Sequence, residues 1–164
     1  MSDYDWKKFI VRININATIQ QLYNAWTTRQ NIESWFVRLS EFSRDNDLLQ
    51  DTEAIRPGDR YKWMWHGYPD STVEVGDILV ANGKDLLEFT FAGMNVSVKI
   101  IVEEGETLVE LTQYNIGEDD KSKSSFHVGC TQGWTFYLAN LKSLMEGGID
   151  LRNKNEKLKR MMNS

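Results

Sequence analysis

Few side chains in this sequence are of the kinds that do chemistry, and their spacing limits what they can do. Histidine occurs twice, at His66 and His127, and cysteine once, at Cys130. A zinc site needs three or four such ligands at short, fixed spacings, so no metal centre is expected. One cysteine also excludes an internal disulfide. Cys130 falls on an apolar helical stripe with no base beside it in sequence, which reads as a small inert hydrophobe and not as a nucleophile. The run Glu118-Asp119-Asp120 offers carboxylates to calcium or magnesium, but in a charged loop it reads as solvated. No nucleophile elbow, phosphate loop or dinucleotide fingerprint occurs. Glu74, Glu88 and Glu110 sit inside strand-like segments opposite apolar neighbours, and alternation assigns them to the solvent face. An inward carboxylate would differ, because burial raises its pKa and suits it to general acid–base work.

The stronger signal is aromatic. Six Trp, six Tyr and seven Phe make a ring content that builds rigid cores or stacking pockets. Tyr61, Trp63 and Trp65 alternate with Lys62, Met64 and His66, so three rings share one strand face. Phe89 and Phe91 extend that face from another strand, while Trp35, Phe36, Trp134 and Leu138 close the space from helices. Gln113 alternates with Val109 and Leu111 and is the polar group expected to point inward and orient a ligand. His66 lies on the Met64 face, outward, and His127 falls in the first turn of the last helix, in solvent. Two readings stand: a pocket for a small apolar or aromatic ligand, or a packed aromatic core. Neither calls for a cofactor.

The elements that hold these rings follow from periodicity. Phe9, Val11, Ile13 and Ile15 alternate within a strand over Trp6–Ile15; Ile19, Leu22, Tyr23 and Trp26 then take helical spacing. Thr18 is placed to cap that helix, with Gln21 completing a capping box. A short helical turn spans Arg29–Phe36. The polar stretch Val37–Ile55 holds one strand around Glu41–Arg44 and then a loop. The turn signals Arg56–Asp59 and Gly67–Asp70 bracket the ring-bearing strand. Further strands are expected at Thr72–Val80, Leu86–Phe91, Val96–Glu103 and Thr107–Tyr114, with Asn82-Gly83 and Glu104-Gly105 as tight connections.

A charged loop, Gly117–Ser125, leads into a helix from about Phe126 to Glu146, capped by Ser124 or Ser125 and stopped by Gly147-Gly148. Its apolar face carries Cys130, Gly133, Trp134, Tyr137, Leu138, Leu141, Leu144 and Met145, and Gly133 is expected to let the helix approach the sheet closely. Phe136 falls on the opposite side, either as a dimer or partner contact or covered by the tail. The implied architecture is α+β: a curved antiparallel sheet wrapped around the long C-terminal helix, with two short helices after the first strand. Residues 1–148 form that domain and residues 149–164 a polar, basic tail.

Net charge of −5 and a pI near 5.1 argue against nucleic acid and against anionic membrane surfaces as partners. No apolar run is long enough to span a bilayer, and the acidic stretch Met1–Asp5 lacks a secretory pattern, which fits a cytoplasmic protein.

Motifs spread over nearly the whole chain resemble the activator-of-Hsp90-ATPase homologue family, within the START-like (Bet v 1-like) helix-grip superfamily. They are Ile15–Thr18 with Leu22–Thr27, the Ile32–Phe36 ending of the second helix, Pro57–Tyr61 with Val75–Leu79 in the central strands, and Gly133-Trp134 with Leu138 and Leu141 in the last helix. The resemblance implies the same helix-grip fold and no particular reaction. It leaves open a ligand carrier, a chaperone-associated interaction protein, and a cyclase- or hydrolase-like enzyme using Gln113, His66 or an inward carboxylate. Val37–Ile55 and the tail after Gly148 are longer than the family pattern.

Overall fold

A computed structural model describes residues 3–162, so the last two residues of the tail lie outside the described residues. Strand β1 (Lys8–Asn14) is followed by helices α1 (Ile19–Thr27) and α2 (Arg29–Glu33), then by strands β2 (Leu39–Arg44) and β3 (Asp47–Leu48). Strands β4 (Arg60–Met64), β5 (Glu74–Ala81), β6 (Leu86–Phe91), β7 (Met94–Glu103) and β8 (Glu106–Tyr114) complete the sheet. A π-helical stretch, Ser122–Val128, then runs into α3 (Gly129–Met145) with right-handed helical angles at the junction. The eight strands pair antiparallel in the order β1-β8-β7-β6-β5-β4-β2-β3. This is the helix-grip arrangement: the concave face of the sheet buries its apolar residues against α1, α2 and α3.

Local chemistry explains the connections. Thr18 Oγ1 accepts the Gln21 N–H and Gln21 Oε1 accepts the Thr18 N–H, the expected capping box. Two-residue turns with both residues at positive φ join β2 to β3 (Asp45-Asn46), β6 to β7 (Ala92-Gly93) and β7 to β8 (Glu104-Gly105). The short β3 therefore stands where a loop was expected, because Asp and Asn tolerate left-handed backbone well enough to close a hairpin. A register shift between Ile78 and Val80 bends β5 and contributes to the curvature.

The last helix starts earlier than its apolar pattern suggests. Its helical run begins at Asp120, and Asp119 caps it through the N–H (3.0 Å) and hydroxyl (2.6 Å) of Ser122. Ser124 is inside the helix and turns its hydroxyl back to the Asp120 carbonyl, so it is not the cap. At the other end Gly147, at φ +82, provides the left-handed residue that stops α3.

The start of the tail, Asp150–Arg152, is tied to this scaffold. Asn140, fully buried on α3, donates to the Trp35 carbonyl and accepts the Leu151 N–H. Arg152 is buried; its guanidinium donates to the carbonyls of Glu33, Ser34 and Val37 at the end of α2, and is gripped by Asp150. These bonds satisfy helix-end carbonyls that would otherwise be orphaned.

Candidate functional site

Where β4 ends, the sheet and α3 part to leave a cleft of about 550 Å³. Its walls come from four places. Phe36 follows α2; Trp65 and Tyr68 lie just beyond β4; Thr72, Glu74 and Phe91 come from around β5 and β6; Cys130, Gln132, Gly133, Trp134 and Tyr137 come from α3. Arg160, Met161 and Met162 of the tail line its edge. Arg38 positions the β4 side, donating to the Trp65 carbonyl (3.4 Å) while pairing with Asp70 (2.6 Å).

Of the ring positions expected at a pocket, Phe36, Trp65, Phe91 and Trp134 line this cleft. Phe36 is the hub, stacked on Trp134 with centroids 5.1 Å apart and edge-on to Trp65 at 5.8 Å and Tyr137 at 4.9 Å. The remaining candidates stand in the packed core behind it. Tyr61 and Trp63 stack at 3.8 Å, Phe89 meets Trp63 edge-on at 5.4 Å, and Trp35 and Leu138 are buried on the helix side. Tyr61 fits because its β5 partner is Gly76, where a Cβ would come within 2.5 Å of the ring. Gln113 is fully buried beneath the cleft, not at its surface. It accepts the Trp134 indole N–H (2.9 Å) and so fixes the ring that forms the floor.

Glu74 is a correction. It lies on the inward face with Gly76 and Ile78, opposite Trp63, and lines the cleft. The outer stripe of β5 carries Val75 and Leu79, which are more than 40% exposed and imitate a core face. Glu74 Oε1 accepts the Ala92 N–H at 2.6 Å, and burial raises its pKa despite that bond. Glu88 and Glu110 do face outward, the first accepting from Tyr114 OH and the second paired with Arg12.

His127 is the other correction. It is buried, with Nε2 3.1 Å from the Lys8 carbonyl and the rings of Tyr4, Trp6 and Phe9 within 5.5 Å, and it fastens the helical run to β1. Phe9 of β1, with Tyr4 and Trp6 from the segment ahead of it, supplies that box, which a helix pattern alone does not show. Nor does Gly133 bring the helix closer to the sheet: a Cβ there would meet nothing within 4 Å, so this glycine widens the cleft. Tyr68, Thr72, Gln132, Tyr137 and the tail residues complete a wall whose loop and tail positions carry no periodic signal.

Chemically the site is poor in reacting groups. Burial raises the Cys130 pKa, and the Glu74 charge adds to that rise against a lowering hydrogen bond from Gln113, so the thiol stays protonated. Burial and then the charges of Arg152, Lys154 and Arg38 lower the His66 pKa and keep that ring neutral. Among the described residues no group of three His, Cys, Asp or Glu side chains is arranged to hold a metal ion. Nor is any helix among them long and apolar enough to cross a membrane.

Structural relatives agree on the frame. Protein SSP2350 from Staphylococcus saprophyticus superposes with a TM-score of 0.68 at 17% identity, over 88% of this chain and 96% of its own. The Aha1 dimer from Colwellia psychrerythraea gives 0.64 at 21%, over 86% and 97%. DynU16, a protein of the dynemicin biosynthetic locus, gives 0.64 at 14%, over 90% of this chain and 50% of its own. No curated protein matches the sequence. The family model described as Activator of Hsp90 ATPase homolog 1-like protein matches residues 16–146, and the chain belongs to that family.

Proposed function

We propose that this protein binds a small ligand with an apolar or aromatic body in the cleft beside α3, without catalysing a reaction on it. The cleft itself carries the reading: about 550 Å³ walled by Phe36, Trp65, Phe91 and Trp134, a volume and lining suited to a drug-sized molecule. The protonated thiol of Cys130 on the cleft wall favours binding over covalent chemistry. DynU16, with its biosynthetic locus, fits a fold that handles small molecules. The family's name suggests the rival reading, a chaperone-associated interaction protein, and the Colwellia relative suggests a homodimer.

Gly133→Leu tests the ligand reading at low structural risk. The added side chain enters open space, and replacing glycine inside a helix should stabilise by about 0.5–1 kcal/mol. Thermal-shift screening with aromatic compounds should raise the melting temperature of the wild type, and the variant should lose those shifts while melting no lower. Native mass spectrometry of the purified protein should show a co-purified small molecule. If no compound shifts the wild type and no small mass co-purifies, while a chaperone is captured, the surface reading replaces the cleft.

A further inference from the structure

Glu74 is the one carboxylate on the cleft wall among the described residues. Inward-facing on β5, it stands where a core residue would otherwise pack, with Gly76 and Ile78 along the same face. Only one of its oxygens is occupied: Oε1 takes the Ala92 N–H, and Oε2 has no hydrogen-bond partner among the described residues. It forms no ion pair there either. Arg160 lines the same cleft but sits on the exposed tail and does not reach it. Glu74 lines the cleft together with Cys130 and Trp134 of α3, which places its carboxylate between α3 and the sheet.

We propose that the ligand of this cleft is an organic cation, an aromatic or other apolar body carrying a protonated amine that pairs with Glu74. This rests on the ligand-binding reading above. A neutral apolar ligand filling the cleft would strip water from the free carboxylate oxygen and return nothing, a costly burial. A protonated amine returns a charge-assisted hydrogen bond. The rings supply the rest: Phe91 and Trp134 lie 5.4 Å apart beside Trp65, and ring faces attract cations that come within about 6 Å. The net charge of −5 also favours cations over anions in encounter.

The test uses three probes with one ring system: naphthylethylamine, naphthylethanol and naphthylacetate, each titrated against the tryptophan fluorescence of the full chain. The amine should bind about tenfold or more tighter than the alcohol, the usual worth of a hydrogen bond to a charged group. Glu74→Gln should erase that gap while leaving the alcohol within about twofold of its wild-type affinity. Equal or tighter binding of the alcohol or the acetate to the wild type overturns the cation, and so does an amine preference that survives in the Gln variant. The wild-type comparison decides the matter even if the variant fails to fold. Failure of all three probes overturns the ligand-binding reading itself, whereas binding without preference for the amine overturns only the cation.

Discussion

The rings packed between β4, β6 and the helices and the rings beyond the end of β4 come from one continuous cluster, yet the first group fills its space and the second leaves a cleft. Phe36 belongs to both, 5.2 Å from Trp63 on one side and 5.8 Å from Trp65 on the other. On the filled side, ring polar groups find partners: Trp35 Nε1 donates to the Ala25 carbonyl (2.8 Å), Trp63 Nε1 to Ser40 Oγ (3.1 Å) and Tyr61 OH to the Thr90 carbonyl (2.5 Å). Only Trp26 Nε1 is buried there without a partner among the described residues. On the open side the ladder stops at Met64, Trp65 hangs from a loop held by Arg38, and the facing strand presents a carboxylate. A pocket thus arises where strand pairing ends and a charged group replaces an apolar one on the inward face, since such a group resists being covered.

Trp63, inside β4, and Trp65, just past its end, sit two residues apart and make the sharpest contrast. Trp63→Ala should cost about 3–5 kcal/mol, because it removes a fully buried indole and leaves a cavity that its neighbours cannot fill. Trp65→Ala should cost about 1 kcal/mol, since that ring already borders open space, while ligand binding should suffer more than folding. Urea midpoints for the two variants check this. Equal losses would mean that the cleft is closed in solution and the two regions are one core.

The tail offers a smaller and pH-dependent test of what borders the open side. Burial works against the charge on Asp150, but hydrogen bonds from Arg152 and Lys154 outweigh it and hold its pKa well below the usual carboxylate range. A depressed folded pKa stabilises above the unfolded value near 3.9, and that stability is lost as the pH falls through the folded pKa. Asp150→Asn should therefore cost about 1 kcal/mol at neutral pH and progressively less below about pH 4, where the wild type loses the same contribution. Because Arg152 pins the chain that leads to Arg160–Met162, the variant should also expose the cleft edge to hydrogen exchange. A penalty that does not shrink in acid would show that the tail is held by packing and not by this ion pair.

Much of the frame was legible in the sequence because it rests on periods: the strand alternation, the capping box at Thr18 and the stop at Gly147 each follow from local chemistry. The cleft was less so, for a specific reason. Val75 and Leu79, with Val73 just ahead of the strand, make the outer face of β5 look like the core face, and the signal that reverses the assignment is Gly76, which must be inward because Tyr61 lies on it. That signal needs the β4–β5 register, which no single strand contains. The same holds for His127 and Arg152, whose partners lie 119 residues away at Lys8 and Glu33. Long-range polar partners leave no periodic trace, whereas apolar faces do.

Glu74 gives the smallest effect on stability and the most discriminating one. Burial raises its pKa, so the folded protein binds the proton more readily than the unfolded chain does. Stability then falls as the pH rises from the unfolded value, near 4.3, through the folded one, and above that the cost stays constant. At neutral pH the carboxylate therefore opposes folding, and Glu74→Gln should stabilise the unliganded protein by less than about 1 kcal/mol, the remaining exposure to water keeping the gain small. The amide oxygen can still accept the Ala92 N–H, so that bond survives the change. In acid, where wild-type Glu74 is protonated, the two proteins should melt together. A variant that is more stable empty yet weaker for naphthylethylamine has exchanged binding for folding, the pattern expected where strain is kept for a ligand. If Glu74→Gln is instead destabilised at neutral pH, the carboxylate is a structural strut for the β6–β7 turn, and the open side of the molecule differs from the filled side in its packing alone.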